Sequence, residues 1–401
     1  MKKRIITAAC LAFLFTHQSK AQNDSVYNNY KKEKLKIEEI NFISSYYTQN
    51  GDNSAVTGGE GTEKLTDIAT NFEVILSKKD KRNNIHSLDI NVGIDSYTSA
   101  SSDNIDPNTV TSASYQDIRI YPSANYSYAN EEKKTVYNGG LSFSAEYDYF
   151  SIGANVGFTK TSKDNNREFS VKGMAFFDTW KVILPIELRN NPSDNDARNN
   201  DSKPRNSYNL GLTLSQVVNK NFQVALLADI GYQEGLLATK FNRVYFEDLN
   251  TVRSEKLPST RFKIPVGIRG NYYLNDKIVL RTFYRYYYDN WNINSHTVSF
   301  EPSYKLTEFS SIAIPYRFYH QSQAKYFDAK NQHQLTNEYY TSDYDLSKFS
   351  SNMIGLDYHI VDSNKGIFNI KRIHSLDLRY GYYTRNDGLS SHIITLALQF
   401  K

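Results

Sequence analysis

The 401-residue chain has one cysteine, Cys10. A single thiol forms no internal disulfide and no cysteine-based zinc site. Nowhere is there the run of about 18–20 apolar residues that a membrane-crossing helix needs. Charge of one sign is also missing: 47 basic residues face 43 acidic ones, for a formal net charge of +4. A dedicated nucleic-acid binder would concentrate a basic excess, so no nucleic-acid partner is expected. Apolar residues make up 39%, below the usual ~45–50%, although that range counts Gly and omits Tyr. Aromatics are plentiful, with 32 Tyr and 22 Phe, unlike the aromatic-poor composition of disordered chains. The balance suits β-structure with one wet face and names no activity.

The chain opens on Lys2, Lys3 and Arg4, followed by an apolar run from Ile5 to Phe15 and a polar Ser19-Lys20-Ala21-Gln22. That order is a secretory signal peptide, expected over 1–22 with cleavage near Ala21. A lipoprotein signal at Cys10 is the rival. It is disfavoured because the apolar stretch before Cys10 is short and Thr7 replaces a branched apolar residue. Lys2, Lys3, Arg4 and Lys20 leave with the signal, so the 47 basic residues fall to 43, equal to the 43 acidic ones. The mature chain is then neutral and free of cysteine. Residues 23–36 are polar and read as a periplasmic lead-in.

From 37 to 401 the chain repeats one pattern, apolar and polar residues in strict alternation. Over 65–77, Ile68, Thr70, Phe72, Val74 and Leu76 share one face while Asp67, Asn71 and Glu73 share the other. Over 222–233, Val224, Leu226, Ala228 and Ile230 oppose Gln223, Asp229 and Gln233. Strand side chains alternate faces, so each segment has an apolar and a polar side. About sixteen such segments occur, ending with Ile394, Leu396, Leu398 and Phe400.

A soluble sandwich would alternate too, but three features point to a membrane barrel. The strands run ~10–13 residues, against ~5–6 in globular proteins and the ~9–11 that a tilted membrane strand needs. Connections alternate short (78–84, 130–134, 161–167, 218–221, 273–277, 306–309, 361–371) and, in the main, long (49–64, 98–116, 181–206, 234–259, 322–347). Outer-membrane barrels have short periplasmic turns and longer extracellular loops. Aromatics such as Tyr126, Tyr128, Tyr286, Tyr288, Trp291, Tyr380 and Tyr382 crowd the strand ends, as interfacial girdles do. Phe400, beside the terminal Lys401, reads as the C-terminal barrel signal, with barrel-insertion machinery and outer-membrane lipid as expected partners. The predicted fold is all-β: one antiparallel transmembrane barrel of about sixteen strands in the bacterial outer membrane.

Three polar loop strings carry a resemblance: QNGDNSAVTGGEGTEKLTD (49–67), SYTSASSDNIDP (96–107) and TSKDNNREFSVKG (161–173). With them the chain resembles the "domain of unknown function 3570" family of Bacteroidota-type outer-membrane proteins over nearly the whole mature chain. The resemblance implies an outer-membrane barrel and brings no catalytic or binding residues. It also implies a neighbourhood of a flavin transferase, a thioredoxin-like protein and a small lipoprotein. A periplasmic lipoprotein or redox partner is thus implied, as is a link to an envelope redox or metal system.

The candidate site is the lumen. Polar-face acids come early: Asp67, Glu73, Asp89, Asp95, Glu146 and Asp148. Polar-face bases come late: Lys263, Arg269, Arg281, Arg285 and Arg317. Two readings stay open. One is an electrostatically divided pore that steers ions or small solutes; the other is a network of cross-lumen ion pairs that plugs the barrel. Acid-rich loops at Asp52 with Glu60, Asp103 with Asp106, and Asp194 to Asp201 offer hard oxygens of the kind that hold calcium, without EF-hand spacing. Turn formation explains the same residues, and no cofactor is expected. Gly58-Gly59-x-Gly61 lies in a polar loop, not between strand and helix, so it is no dinucleotide site. Catalysis would need a Ser, His and Asp set on one face. His86, His296, His374 and His392 fall on the apolar parity, and no enzyme is expected. The expected function is a pore or transport component for a small solute. A non-conducting scaffold is the alternative, and a barrel hydrolase ranks below both.

Overall fold

Alternation of side chains leaves one apolar row per strand, and sixteen such rows bury themselves only by facing lipid. In the computed structural model the strands close on themselves to do so. The structure describes residues 34–98, 116–189, 201–362, 366–367, 370 and 372–401. The expected signal peptide and most of the lead-in therefore lie outside the described residues.

The strands run β1 (Lys36–Asn50), β2 (Leu65–Lys79), β3 (Ile85–Thr98), β4 (Gln116–Asn130), β5 (Thr135–Ala145), β6 (Tyr149–Thr161), β7 (Arg167–Lys181), β8 (Ser202–Asn219) and β9 (Phe222–Gly235). After a loop ribbon of β10 (Arg243–Tyr245) and β11 (Val252–Ser254) come β12 (Thr260–Tyr273), β13 (Ile278–Asp289) and β14 (Asn294–Lys305). Then follow β15 (Ser310–Ala313), β16 (Tyr316–Gln321), β17 (Phe349–Val361), β18 (Ile373–Arg385) and β19 (Ser390–Phe400). Each barrel strand pairs antiparallel with its neighbours, and β1 pairs with both β2 and β19, which closes the ring. β15 and β16 are halves of one strand. Pro315 has no N–H to donate, yet register carries through, with Ala313 opposite Asp357 and Tyr316 opposite Ile354. The barrel thus has sixteen strands.

Two elements depart from the sequence reading. β8 starts at Ser202 rather than near 207, pairing Ser202–Asn206 with Lys181–Phe177. Its polar start hides it, because Pro204 and Asn206 on the outward row lack the apolar signal. The β10–β11 ribbon is too short to show a period.

The outward rows are apolar and exposed, with Ile68 at 53% and Val156 at 68%. A belt this continuous is a lipid-facing surface. A closed barrel also satisfies each strand's backbone groups, which lipid cannot. Three outward histidines fit the belt by a shared device. His86, His296 and His392 stand directly across from Tyr128, Tyr286 and Tyr382. Each Nδ1 shares a hydrogen bond with the hydroxyl of the tyrosine two residues away, Tyr126 at 2.6 Å, Tyr284 at 2.9 Å and Tyr380 at 2.9 Å. Each imidazole gives a phenol a partner where water is scarce.

Inward rows are thin where glycine faces a flat side chain. A Cβ on Gly93 would sit 2.0 Å from the Tyr121 ring, and one on Gly140 would sit 1.9 Å from Asn125. Asn71 and Asn91 exchange reciprocal hydrogen bonds of 2.9 and 2.8 Å along the same wall. Such side chains lie along the wall rather than across the lumen.

Candidate functional site

The charged residues that the sequence singles out on the inward face divide by wall. Asp67 and Glu73 stand on β2, Asp89 and Asp95 on β3; Lys263 and Arg269 stand on β12, Arg281 and Arg285 on β13, and Arg317 on β16. In a ring of sixteen, β2 lies eight strands from β12 and β3 eight from β13. The acidic and basic walls therefore face each other across the full diameter. Their partners are local. Glu73 accepts from Asn41 Nδ2 at 2.7 Å, and Asp95 accepts from the Tyr121 hydroxyl at 2.8 Å. Arg281 pairs with Glu301 on the next strand at 2.5 Å. Among the described residues no ion pair joins opposite walls.

The crossing happens in the loops. The 51–64 loop follows β1, and the 236–259 loop follows β9, eight strands away in either direction. Yet Arg243 Nη1 donates to the Val56 carbonyl at 2.7 Å. The same guanidinium forks onto Glu187 of the 182–201 loop, with Nη2 to Oε2 at 3.1 Å. The Arg243 carbonyl accepts from Ser342 Oγ of the 322–348 loop at 2.6 Å. Lys330 of that loop reaches Glu60 at 2.8 Å. Four loops are thus held by one buried arginine and one lysine, forming a cap over the long-loop end.

The cap has its own core. Val244 and Phe246 are fully buried with Tyr340, and Phe246 meets the Tyr340 ring edge-on at 5.0 Å. A lower layer of Trp291, Ile293 and Ala324 packs with Leu257, Leu346 and the lumen-facing Tyr287, which seats the cap on the barrel wall. Arg385, at the end of β18, donates to Asp345 Oδ1 at 2.5 Å and to the Tyr344 carbonyl at 2.8 Å, with Phe349 stacked 3.8 Å beneath it. Gly58 and Gly59 adopt φ of +84° and +91°. A Cβ there would meet Tyr245 at 2.4 Å and Tyr344 at 2.8 Å. The glycine string of this loop is thus a packing device under two tyrosines.

Titratable groups are enclosed in the cap. Glu255 accepts from the Thr341 hydroxyl and the Thr239 N–H, and burial raises its pKa above the ordinary carboxylate range. Burial likewise raises Asp343, helped by the nearby Asp345 and Glu255 charges. His333 is buried, its Nε2 3.1 Å from the Thr341 carbonyl, and burial lowers its pKa. None of these residues, nor Arg243 or Arg385, stands out in the sequence. The signal available was Val244-Tyr245-Phe246 and Tyr339-Tyr340, apolar and aromatic runs inside long loops.

The loop acids fare differently. Glu60 belongs to the Lys330 pair, Asp52 is exposed, and Asp103 and Asp106 lie outside the described residues. Among the described residues, three acidic groups come within 4.8 Å of one another only at Asp117, Glu146 and Asp148. There Tyr97 donates to Glu146 at 2.7 Å and Arg119 lies 3.5 Å away. Burial raises the pKa of Glu146. Phe400 sits outward at the short-turn end, opposite Ile40. On the inward face Ser311, His359 and Asp377 form one row on adjacent strands, a juxtaposition the sequence reading missed. His359 Nδ1 is 2.9 Å from Asp377 Oδ1, but no hydrogen bond joins Ser311 to the imidazole. The serine is not engaged as a nucleophile would be.

Comparison with known proteins adds a family. A family model described as "Protein of unknown function (DUF3570)" matches residues 4–396. No curated protein matches the sequence. Among solved structures, the chain is similar to a mutant of the ferric enterobactin receptor PfeA of Pseudomonas aeruginosa. Identity is 10% and the TM-score 0.45, over 86% of this chain and 53% of that one. It thus spans about half the receptor's length. It is also similar to a bacterial polysaccharide outer membrane secretin, at 10% identity and a TM-score of 0.45, over 90% and 98% of the two chains. OccD3 (OpdP) of Pseudomonas aeruginosa aligns at 9% identity and a TM-score of 0.44, over 92% and 93%. Likeness at this level carries no function across.

Proposed function

We propose that this chain, which belongs to the DUF3570 family of proteins of unknown function, is an outer-membrane transport barrel for small solutes, gated at its outer mouth by interlocked loops. The observation that carries the reading is the locality of the wall charges: Arg281 pairs with its neighbour Glu301, while the acidic wall of β2–β3 and the basic wall of β12–β13 stay apart. Opposite walls of fixed charge set a field across an aqueous lumen and sort solutes by charge. Sixteen strands give a ring of the size that leaves a channel in porins. The long-loop end faces outward by the loop rule of outer-membrane barrels, so the cap restricts entry from outside.

Planar-bilayer recordings test this. The native protein is expected to conduct weakly, and Arg243→Ala, which frees the 236–259 loop from two others, is expected to raise conductance severalfold. A cap presenting a rigid outer face also suits a scaffold. Silence of both proteins across all voltages would favour that second reading and end the first.

A further inference from the structure

We infer that the basic wall holds a recognition site for small aromatic carboxylates, built by arginines around Phe283; this rests on the transport reading above. Phe283 is a half-buried ring between two arginines on the inward row of β13. Its direct cross-strand neighbours are Arg269 on one side and Ser299 on the other, and Ser299 in turn faces Arg317. Two residues along β13 in either direction stand Arg281 and Arg285. Three arginines thus adjoin one apolar ring, and a fourth, Arg317, stands two strands away. Arg281 is engaged by Glu301. Arg269, Arg285 and Arg317 form no ion pair among the described residues, and the Arg269 carbon Cζ lies 6.0 Å from the Phe283 centroid. Asp229 on β9 feels the Arg285 charge without reaching ion-pair distance.

A recess of ≈ 420 Å³ opens beside Phe283, bounded by Arg269, Asn271, Arg281, Phe283, Ser299 and Glu301, with Arg285 and Arg317 outside its lining. Each free guanidinium offers a planar fork that matches a carboxylate bidentately. Arg281 is held by Glu301, whereas Arg269 forms no ion pair among the described residues, so its fork is the one in the recess left for an anion. The Phe283 face supplies an apolar platform for a flat ring. Glu301 narrows the choice further. It repels a second negative charge on the far side of the recess, so a ligand with one carboxylate and one ring fits better than a dianion. The acidic wall opposite pushes such an anion toward the arginines.

Equilibrium binding to the whole purified barrel in detergent, at fixed ionic strength, tests the site with benzoate, acetate and benzyl alcohol as probes. Benzoate is expected to bind, acetate at least tenfold more weakly, and benzyl alcohol not measurably. Arg269→Gln is expected to weaken benzoate tenfold or more, with Arg269→Lys in between. Phe283→Leu should shrink the preference for benzoate over acetate. These side chains face the lumen, and heat-dependent gel mobility confirms that each variant is folded. Benzoate binding that is absent, or that is indifferent to Arg269→Gln in a folded barrel, overturns the site. Because the readout is binding, a barrel that holds benzoate but never conducts would sink the transport reading and spare this one. A conducting barrel that ignores benzoate would do the reverse.

Discussion

Single side chains decide how firmly the cap is shut. Buried carboxyls with raised pKa values favour their protonated form in the folded cap. The stability that Glu255 and Asp343 contribute is therefore complete at low pH and is lost as pH rises through their raised values. His333 works in the opposite sense. Its pKa is lowered by burial, so its contribution is present above the ordinary histidine value and is lost as pH falls through the depressed one. The two carboxyls outnumber the one imidazole, so the cap loses stability as pH rises from the ordinary carboxylate range toward the raised values, each ionisation costing at most about 1.4 kcal/mol per pH unit. Glu255→Gln keeps an acceptor for the Thr239 N–H and removes the charge. Protease nicking of the cap is expected to rise with pH in the native protein and to rise less in this variant. Equal slopes would show that Glu255 does not titrate in the cap. Residues of this kind were not legible in the sequence. Arg243 and Val56 are 187 positions apart, and no local period reports such a contact. The wall residues were legible because parity alone puts Asp89 or Arg285 on the polar face of its strand.

At the scale of elements, the strands follow from two simple rules, alternation and turn chemistry. Asp80, for example, accepts from the Arg82 and Asn84 N–H groups at 2.7 and 2.9 Å and closes the β2–β3 turn without tertiary help. Such hairpins are visible in the sequence. What escaped were elements whose side chains face neither lipid nor a regular wall: the polar start of β8 and the β10–β11 ribbon. The 51–64 loop belongs with them, since its glycines mean little until Tyr245 and Tyr344 lie on top of them. Gly58→Ala adds strain at positive φ, about 1 kcal/mol for the backbone alone, and drives a methyl into the Tyr245 ring. The variant is expected to keep its barrel, read as unchanged β-type circular dichroism and heat-dependent mobility, while its cap becomes susceptible to protease. A cap as resistant as the native one would show that the loop does not pack under Tyr245.

For the whole molecule, near-neutral charge conceals a separation across a diameter. Four acids on β2 and β3 and five bases on β12, β13 and β16 nearly cancel, which is why composition alone pointed nowhere. The loops add what the walls cannot: contact between points eight strands apart, and with it a way to close the lumen. The mature chain is expected to lack cysteine, so a pair of thiols can be placed at Val56 and Phe241, side chains that pack together across the mouth. The most direct measurement is the single-channel conductance of the Val56→Cys/Phe241→Cys barrel before and after joining the thiols with a short bifunctional maleimide. The linked barrel is predicted to conduct severalfold less than the unlinked one, with linkage visible as a shift in gel mobility. Thiols that fail to link, or a linked barrel that conducts as freely as the open one, would contradict the account.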